Sequence, residues 1–132
     1  MKKVLIFTAL LFTVTACTLC SCGIGYAKVS GIQMYVTKDG SYLCGTGYTA
    51  ETALNLGEEY ILTISYSQSG GSKATALTAE SITLEYDGAA LRLVEGDRDY
   101  DPQYTLYGLS PGDTEITVTD GIYSAALCLS FE

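Results

Sequence analysis

Apolar and polar residues alternate with a period of two in three stretches of this chain, and no other feature limits its fold as strongly. The three stretches are residues 60–66, 82–86 and 115–119. A period of two places one set of side chains on each face of an extended strand, so each stretch predicts a half-buried antiparallel strand. Weaker forms of the pattern predict further strands at residues 32–37, 52–56, 90–95, 103–109 and 122–131.

Seven or eight short strands in about 100 residues predict an all-β domain of two packed sheets, since one open sheet would leave an apolar face in water. Asp87-Gly88 and Asp120-Gly121 each separate two strand stretches, and each predicts a two-residue hairpin turn. Only residues 50–56 could instead form a helical turn. The predicted core consists of Tyr60, Leu62, Ile64, Ile82, Leu84, Leu91, Leu93, Leu106, Ile116, Val118, Leu127, Leu129 and Phe131.

The N-terminus has the layout of a secretory leader. Lys2 and Lys3 precede residues 4–16, which carry no charge and are mostly apolar. As a helix this segment would rise about 20 Å, which is less than the hydrocarbon core of about 30 Å. We therefore expect it to be processed rather than to span the membrane.

The leader ends in Val14-Thr15-Ala16-Cys17, which resembles a bacterial lipobox. The resemblance implies that the Cys17 thiol receives a diacylglycerol group and that the chain is then cut before Cys17. Residues 1–16 would be the signal peptide, residues 17–30 a lipidated tether and residues 31–132 the folded domain. Acyl chains hold a domain on a membrane at about 0.8 kcal/mol per buried methylene. The predicted location is the cell envelope, with the membrane as one partner.

Three other fates of the N-terminus remain open. Cys22 could be the lipid acceptor of a second lipobox at residues 19–22. Cleavage after Ala27, at a small-x-small site, would release a secreted protein. Residues 4–27 carry no charge and could stay as an uncleaved anchor. Every one of these fates places the domain outside the cytoplasm.

Five cysteines are present, and of these only Cys44 and Cys128 fall in the predicted domain. A disulfide between them would close a loop of more than 80 residues and add about 4 kcal/mol of stability in the chain-entropy model. Cys128 alternates with Leu127 and Leu129 and should therefore face outward. A Cys44–Cys128 bridge and two unpaired small residues are both compatible with the sequence.

The composition of the chain argues against several classes of function. The chain has 15 acidic and 7 basic side chains and no His. Without imidazole the commonest general base is missing, together with the nucleophile pairs that depend on it, so we predict that the protein is not an enzyme. Nucleic-acid binding needs a concentrated positive surface, which this acidic chain lacks. We expect a protein that acts by non-covalent binding.

The densest run of charges, residues 95–101, suggests one cofactor. Asp97, Asp99 and Asp101 match the first three ligand positions of an EF-hand loop. The sixth and twelfth positions are Pro and Gly, where that loop needs Gly and Glu, so a full EF-hand is excluded. A looser Ca²⁺ site shared with another loop is one interpretation, and a solvated loop is the other. No other cofactor is predicted.

The chain contains eleven tyrosines, its most suggestive enrichment. Those in strand stretches, such as Tyr35, are expected in the core or beside neighbouring strands. Tyr42 and Tyr100 lie near predicted loops, and Tyr107 lies on the outward face of a strand. Exposed tyrosine offers rigid, amphipathic contact area at low entropic cost. We interpret Tyr100 and Tyr107 as a surface for a protein or glycan ligand, with ordinary strand tyrosines as the alternative.

Two stretches resemble a known family. Residues 54–64 (LNLGEEYILTI) resemble the A′ strand, turn and B strand of immunoglobulin-like domains, and residues 104–131 are similar to the last three strands of bacterial immunoglobulin-like domains of the intimin and invasin type. The resemblance implies one immunoglobulin-like β-sandwich of seven to eight antiparallel strands. It also implies an adhesion or accessory module on a bacterial surface. A structural subunit that assembles through strand edges is the second expectation.

Overall fold

A computed structural model describes residues 25–47, 53–71 and 73–132. The predicted signal peptide and the cysteines Cys17, Cys20 and Cys22 lie outside the described residues. Within the described ranges, no helix is long and apolar enough to cross a membrane. These residues form one 3₁₀ turn, Ala79–Ser81, and eight strands: β1 Lys28–Lys38, β2 Ser41–Gly45, β3 Tyr60–Ser69, β4 Thr83–Glu85, β5 Leu91–Glu95, β6 Gln103–Gly108, β7 Gly112–Thr119 and β8 Ser124–Phe131.

The chain divides into two compact units. The larger unit comprises residues 29–67 and 76–132. The described residues of the smaller unit are 25–28, 68–71 and 73–75, where the Ala27 N–H donates to the carbonyl of Lys73 over 2.7 Å. Strand β1 begins at Lys28, within the segment that the sequence assigns to the tether.

The strands form two antiparallel sheets. One has five strands in the order β2-β1-β3-β6-β5, and the other has three in the order β4-β7-β8. Leu62 lies opposite Tyr104 between β3 and β6, and Ile116 lies opposite Leu127 between β7 and β8. The prediction of an all-β fold built from two sheets is confirmed.

The buried apolar residues of both sheets form one cluster. Most predicted core residues belong to it: Tyr60, Leu62, Ile64, Leu91, Leu106, Ile116, Val118, Leu127, Leu129 and Phe131. The prediction of Ile82, Leu84 and Leu93 as core residues is wrong, because they are half-buried and only pack against the cluster. They lie on or beside the edge strands β4 and β5, where a sheet neighbour covers one side only. The cluster also contains Ile32, Met34, Val36, Cys44, Leu54, Leu77 and Tyr104.

A two-residue hairpin does occur, but at an Asp-Gly pair that was not predicted. Asp39 has a φ of 51° and Gly40 a φ of 81°, and Lys38 pairs with Ser41 across them. Positive φ at both central positions is the type I′ geometry that matches the twist of two strands. This turn adds β2, a strand missing from the sequence prediction.

The two predicted Asp-Gly turns are wrong in type. Strands β4 and β5 belong to different sheets, so Asp87-Gly88 lies in a connection between sheets and not in a hairpin. Strands β7 and β8 do form a hairpin, but their last pair is Thr119 with Ser124, which leaves a four-residue loop. The Asp120 carboxylate closes that loop by accepting the N–H groups of Ile122 at 2.9 Å and Tyr123 at 2.7 Å.

Asp120 also links the two sheets. The hydroxyl of Tyr66 on β3 donates to its carboxylate over 2.8 Å. Burial, together with this hydrogen bond, raises the pKa of Tyr66 to about 12. Burial opposes the charge on Asp120, but the N–H groups of Tyr123 and Ile122 outweigh it and keep the pKa of Asp120 below its usual value.

The segment before β3 is extended at Leu54 rather than helical. The Leu54 N–H donates to the carbonyl of Ser130 over 2.7 Å, and the Glu132 N–H donates to the carbonyl of Leu54 over 2.9 Å. Leu54 thereby forms a parallel bridge with Phe131 at the end of β8. Of the strand predicted over residues 52–56, the described part contains this single bridge, and a turn begins at Leu56. Residues 48–52 lie outside the described chain.

Candidate binding surfaces

Two surfaces of the larger unit carry the residues that the sequence singles out. The first is a cleft between the 3₁₀ turn and the loop after β5, which we call the acidic cleft. It has a volume of about 380 Å³ and is lined by residues 78–80 and 95–100. Most of its lining residues are exposed, so the acidic cleft is an open depression of the surface.

Backbone pairing holds the acidic cleft in shape. Thr78 and Tyr100 form an isolated antiparallel bridge, and the Asp101 N–H donates to the carbonyl of buried Leu77 over 2.7 Å. Asp101 has a φ of 51°, a left-handed conformation that Asp tolerates better than most residues. The loop is thus tied to the core next to the cleft.

The structure divides the predicted Ca²⁺ ligands. Asp97 and Asp99 line the acidic cleft together with Glu80 and Glu95, whereas Asp101 is not among the lining residues. In the part of the chain that the structure describes, no three acidic or cysteine side chains are grouped so that they could hold a metal ion. Calcium binding therefore stays a prediction.

The two predicted binding tyrosines do not share one surface. Tyr100 lies in the acidic cleft and is 61% exposed. Tyr107 lies near the end of β6, a strand that begins at Gln103. Tyr100 precedes the start of β6. Because a strand rises about 3.3 Å per residue, Tyr100 and Tyr107 lie toward opposite ends of β6. They must be considered as parts of two separate sites.

The second surface is the outward face of the five-stranded sheet, which we call the tyrosine face. It comprises the side chains that alternate with the buried ones on β1, β3, β5 and β6, together with Tyr42 of β2. Its members are Gln33, Tyr35, Thr37, Tyr42, Ile61, Thr63, Ser65, Ser67, Arg92, Val94, Gln103, Thr105 and Tyr107. Thr63 lies on this face by alternation but is itself buried, with 1% of its surface exposed. Because these residues sit on paired strands, their spacing is fixed by the sheet.

Tyr107 is held by contacts with its ring and with its hydroxyl. Arg92 lies opposite it on β5, with its guanidinium carbon 5.6 Å from the ring centroid, a cation–π contact. The Tyr107 hydroxyl donates to Oε1 of Glu59 over 2.9 Å. This hydrogen bond raises the pKa of Tyr107. The ring is therefore oriented before any ligand arrives.

Tyr35 and Tyr42 form a second aromatic site on the same face. The Asp39-Gly40 turn folds β2 back onto β1, and the two ring centroids lie 6.0 Å apart at an interplanar angle of 25°, within the range of offset stacking. Tyr42 is 54% exposed. Gly45 gives its ring room, because a Cβ at Gly45 would lie 2.3 Å from the Tyr42 hydroxyl oxygen.

Uncharged amides and hydroxyls fill the space between the tyrosines. Nε2 of Gln33 donates to Oγ of Ser65 over 3.1 Å, and Oγ of Ser67 donates to Oε1 of Gln33 over 3.5 Å. Nε2 of Gln103 donates to Oγ1 of Thr63 over 3.1 Å. On the described strands β1, β3 and β6, the outward positions carry no charged side chain.

Cys44 and Cys128 are free thiols in the structure, which corresponds to the unpaired alternative of the two that the sequence leaves open. Cys44 is 2% exposed and belongs to the core cluster, and burial raises the pKa of its thiol. Cys128 is exposed, and its Sγ lies 3.6 Å from Oε2 of Glu115, a hydrogen bond that raises the pKa of Cys128. The outward orientation predicted for Cys128 is correct, and it points that thiol away from the core that holds Cys44.

Sequence alternation places Tyr107 on the outward face but does not reveal the site formed by Tyr35 and Tyr42. From the sequence, Tyr35 is an ordinary strand residue and Tyr42 a loop residue, because the strand after Asp39-Gly40 goes unrecognised. That dipeptide, placed between a strand stretch and two further apolar residues, is the signal that could have found it.

Comparison with known proteins does not assign the chain to a family. No protein-family model, no curated protein and no solved structure matches the chain. The functional argument therefore rests on the residues and the geometry of the two surfaces.

Proposed function

We propose that this chain is a cell-envelope lipoprotein, anchored through Cys17, whose β-domain is a non-catalytic binding module of the adhesion or accessory type. The membrane anchor would present the domain at the envelope, and the tyrosine face would contact a ligand there. Binding would need no chemical step, only a rigid frame and an exposed contact surface.

The strand order supports the finer proposal that the domain is immunoglobulin-like. In immunoglobulin constant-type domains one sheet has strands A, B, E and D in order, and the other has C, F and G. Strands β1-β3-β6-β5 and β4-β7-β8 follow these two orders, with β2 as an extra edge strand. The parallel bridge of Leu54 to Phe131 lies where an A′ strand would meet strand G.

One observation carries the binding function: aromatic side chains stand on the solvent face of a sheet whose strands fix them. Tyr107 has Arg92 over its ring and Glu59 at its hydroxyl. Tyr35 and Tyr42 stack on each other at the other side of the same sheet. Preorganised aromatic anchors reduce the entropic cost of binding, which is the usual role of tyrosine in recognition surfaces.

Sedimentation with envelope fragments tests the binding module. The mature chain, purified in detergent, is mixed with parent-cell envelope fragments that detergent has freed of lipid. We expect the wild type to sediment with the fragments, and Tyr35→Ala combined with Tyr107→Ala to lower the affinity by about tenfold or more. Tyr86→Ala is the matched control, because Tyr86 is exposed beside β4 in the other sheet.

The other outcomes of this assay distinguish between the two surfaces or refute the binding function. Loss of binding in Tyr100→Ala, with binding retained in the double variant, would assign the ligand to the acidic cleft instead. Absence of wild-type binding would refute the module. Thermal melts of each variant separate lost binding from lost folding.

Mass spectrometry of the native N-terminus tests the anchor separately. A diacylglycerol thioether on Cys17 is the expected result. The same group on Cys22 would place the lipid anchor at Cys22 instead of Cys17. A free N-terminus at Lys28 would mean a secreted protein.

A structural subunit of a surface polymer is the second candidate, and β8 favours it. This edge strand of the three-stranded sheet reads SAALCLSF and has no charge. Uncharged edge strands are the ones that pair with other chains. Sedimentation velocity tests this candidate: concentration-dependent assembly that Ala126→Lys abolishes would support it, and a monomer at every concentration would exclude it.

A further inference from the structure

The tyrosine face has a chemical character that narrows its ligand. We propose that it binds a neutral glycan chain, laid across the strands between the Tyr35/Tyr42 site and the Tyr107 site. This inference rests on the proposed binding function and names the ligand class for that surface.

Charge is the first argument. The outward positions of β1, β3 and β6 carry no charged residue, although the whole chain has a formal charge of −8. The two charges beside Tyr107, on Arg92 of β5 and on Glu59, are of opposite sign, so the face carries no net charge. An anionic polymer would be repelled by the acidic domain, and a cationic one would be drawn to the acidic cleft, with its four carboxylates and one arginine. An uncharged polymer is the ligand that this face accepts without an electrostatic penalty.

The side-chain inventory is the second argument. A sugar ring has an apolar face of C–H groups and a rim of hydroxyls. The tyrosine face offers the complement of both, with aromatic rings for the apolar face and the Gln33 and Gln103 amides for the hydroxyls. Each of these amides already bonds to a side-chain hydroxyl of β3, which orients it without exhausting its donors and acceptors.

The spacing of the aromatic sites is the third argument. Tyr35 lies on β1 and Tyr107 on β6, with β3 between them. Two strand spacings of about 4.8 Å each separate the sites across the sheet. Tyr107 lies level with Glu59 and Tyr35 near Thr63, so an offset of about four residues along the strands brings the separation to roughly 16 Å. Several consecutive sugar rings of one chain can span such sites, whereas a single small molecule would reach only one of them.

A protein partner fits this face less well. Stable protein interfaces have a desolvated apolar centre with aromatic and arginine anchors. The centre of the tyrosine face is occupied instead by Thr63, Thr105 and the amide of Gln103, with Ile61 as the one large aliphatic residue among them. Thr63 is already buried and accepts a hydrogen bond from Gln103, so a protein partner would have to match the Thr105 hydroxyl and the remaining amide groups of Gln103.

Selective destruction of the ligand tests the proposal in the envelope-fragment assay. One portion of the fragments is treated with periodate, which cleaves the vicinal diols of sugars, and then quenched; another is treated with proteinase K. We expect periodate to abolish binding and the protease to leave it intact. Because no ion pair is formed, we also expect the affinity to stay constant as NaCl is raised.

Two variants of one residue test the ring contact. Tyr107→Phe keeps the ring and should retain the affinity within about threefold, whereas Tyr107→Ala should lower it by about tenfold, or 1.4 kcal/mol. Equal losses in both variants would contradict stacking on the ring.

The failures of the two proposals are distinguishable. Binding that survives periodate and is lost after protease would overturn the glycan ligand and leave the binding module standing. Affinity that falls steeply with NaCl would overturn the proposal that the glycan is uncharged. A wild-type chain that binds no fragments at all would overturn the module itself.

Discussion

The two faces of the five-stranded sheet are built from alternate residues of the same strands, yet one contributes to stability and the other to binding. Toward the core, Leu62 and Leu106 have no exposed surface. One position further along, Thr63 and Tyr107 lie on the outer face and make polar contacts, although neighbouring side chains leave Thr63 only 1% exposed. The inner face supplies the free energy of folding, and the outer face is free to be selected for binding. Substitutions on the two faces should therefore separate stability from affinity.

The largest loss of stability is expected on the inner face. Leu106→Ala removes a side chain with no exposed surface from the centre of β6. The lost burial and the cavity together should lower the free energy of unfolding by about 2–5 kcal/mol. Urea unfolding measures this, and a loss under about 1 kcal/mol would mean that the core is not packed as described.

A smaller loss is expected where the inner face has no room for another atom. A Cβ on Gly108 would lie 2.2 Å from Cδ1 of the Phe131 ring. Gly108→Ala should therefore force the ring to shift and cost about 1–3 kcal/mol. Gly88→Ala is the matched control, since nothing lies within 4 Å of its Cβ position. Equal midpoints for the two variants in urea would refute the contact.

The hydrogen bond between the sheets should have a measurable but modest effect. Tyr66→Phe removes the hydroxyl that donates to Asp120 and should cost about 1 kcal/mol at neutral pH. Because the folded-state pKa of Tyr66, about 12, exceeds the ordinary tyrosine value of 10.0, this contribution is complete below pH 10 and is lost as the pH rises toward 12. The wild type should therefore lose its advantage over Tyr66→Phe in alkaline melts. A constant difference across that range would contradict the assignment.

The smallest effect on stability is expected on the outer face. Tyr107→Phe removes an exposed hydrogen bond to Glu59 and should change the free energy of unfolding by no more than about 0.5 kcal/mol. The same denaturation experiment on the double variant of Tyr35 and Tyr107 completes the comparison. If outer-face variants unfolded as readily as Leu106→Ala, the distinction between the faces would be lost.

Much of the inner face could be predicted from the sequence, because burial imposes a period of two that is visible in Tyr60–Tyr66 and again in β7. The outer face could not, since its character depends on which strands become neighbours. Arg92 faces Tyr107 only through the register of β5 with β6, and Thr63 meets Gln103 only through that of β3 with β6. Sequence alternation fixes the side of a strand but not the residue across from it.

Turn chemistry shows the same limit. The chain has Asp-Gly pairs at positions 39, 87 and 120, and the dipeptide alone does not tell which one closes a tight hairpin. At Asp120 the carboxylate binds loop N–H groups and widens the turn, and at Asp87 the chain crosses to the other sheet. Only at Asp39 do the residues immediately on either side of the Asp-Gly pair, Lys38 and Ser41, pair with each other. Recognition of that turn is what places Tyr42 beside Tyr35.

Hydroxyl-radical footprinting of the full chain with and without envelope fragments shows whether the tyrosine face binds the ligand, because tyrosine rings report their own exposure. We expect Tyr35, Tyr42 and Tyr107 to become protected in the complex, while Tyr86 and Tyr100 react as in the free protein. Protection confined to Tyr100, or equal reactivity of the tyrosine face in both states, would contradict this expectation.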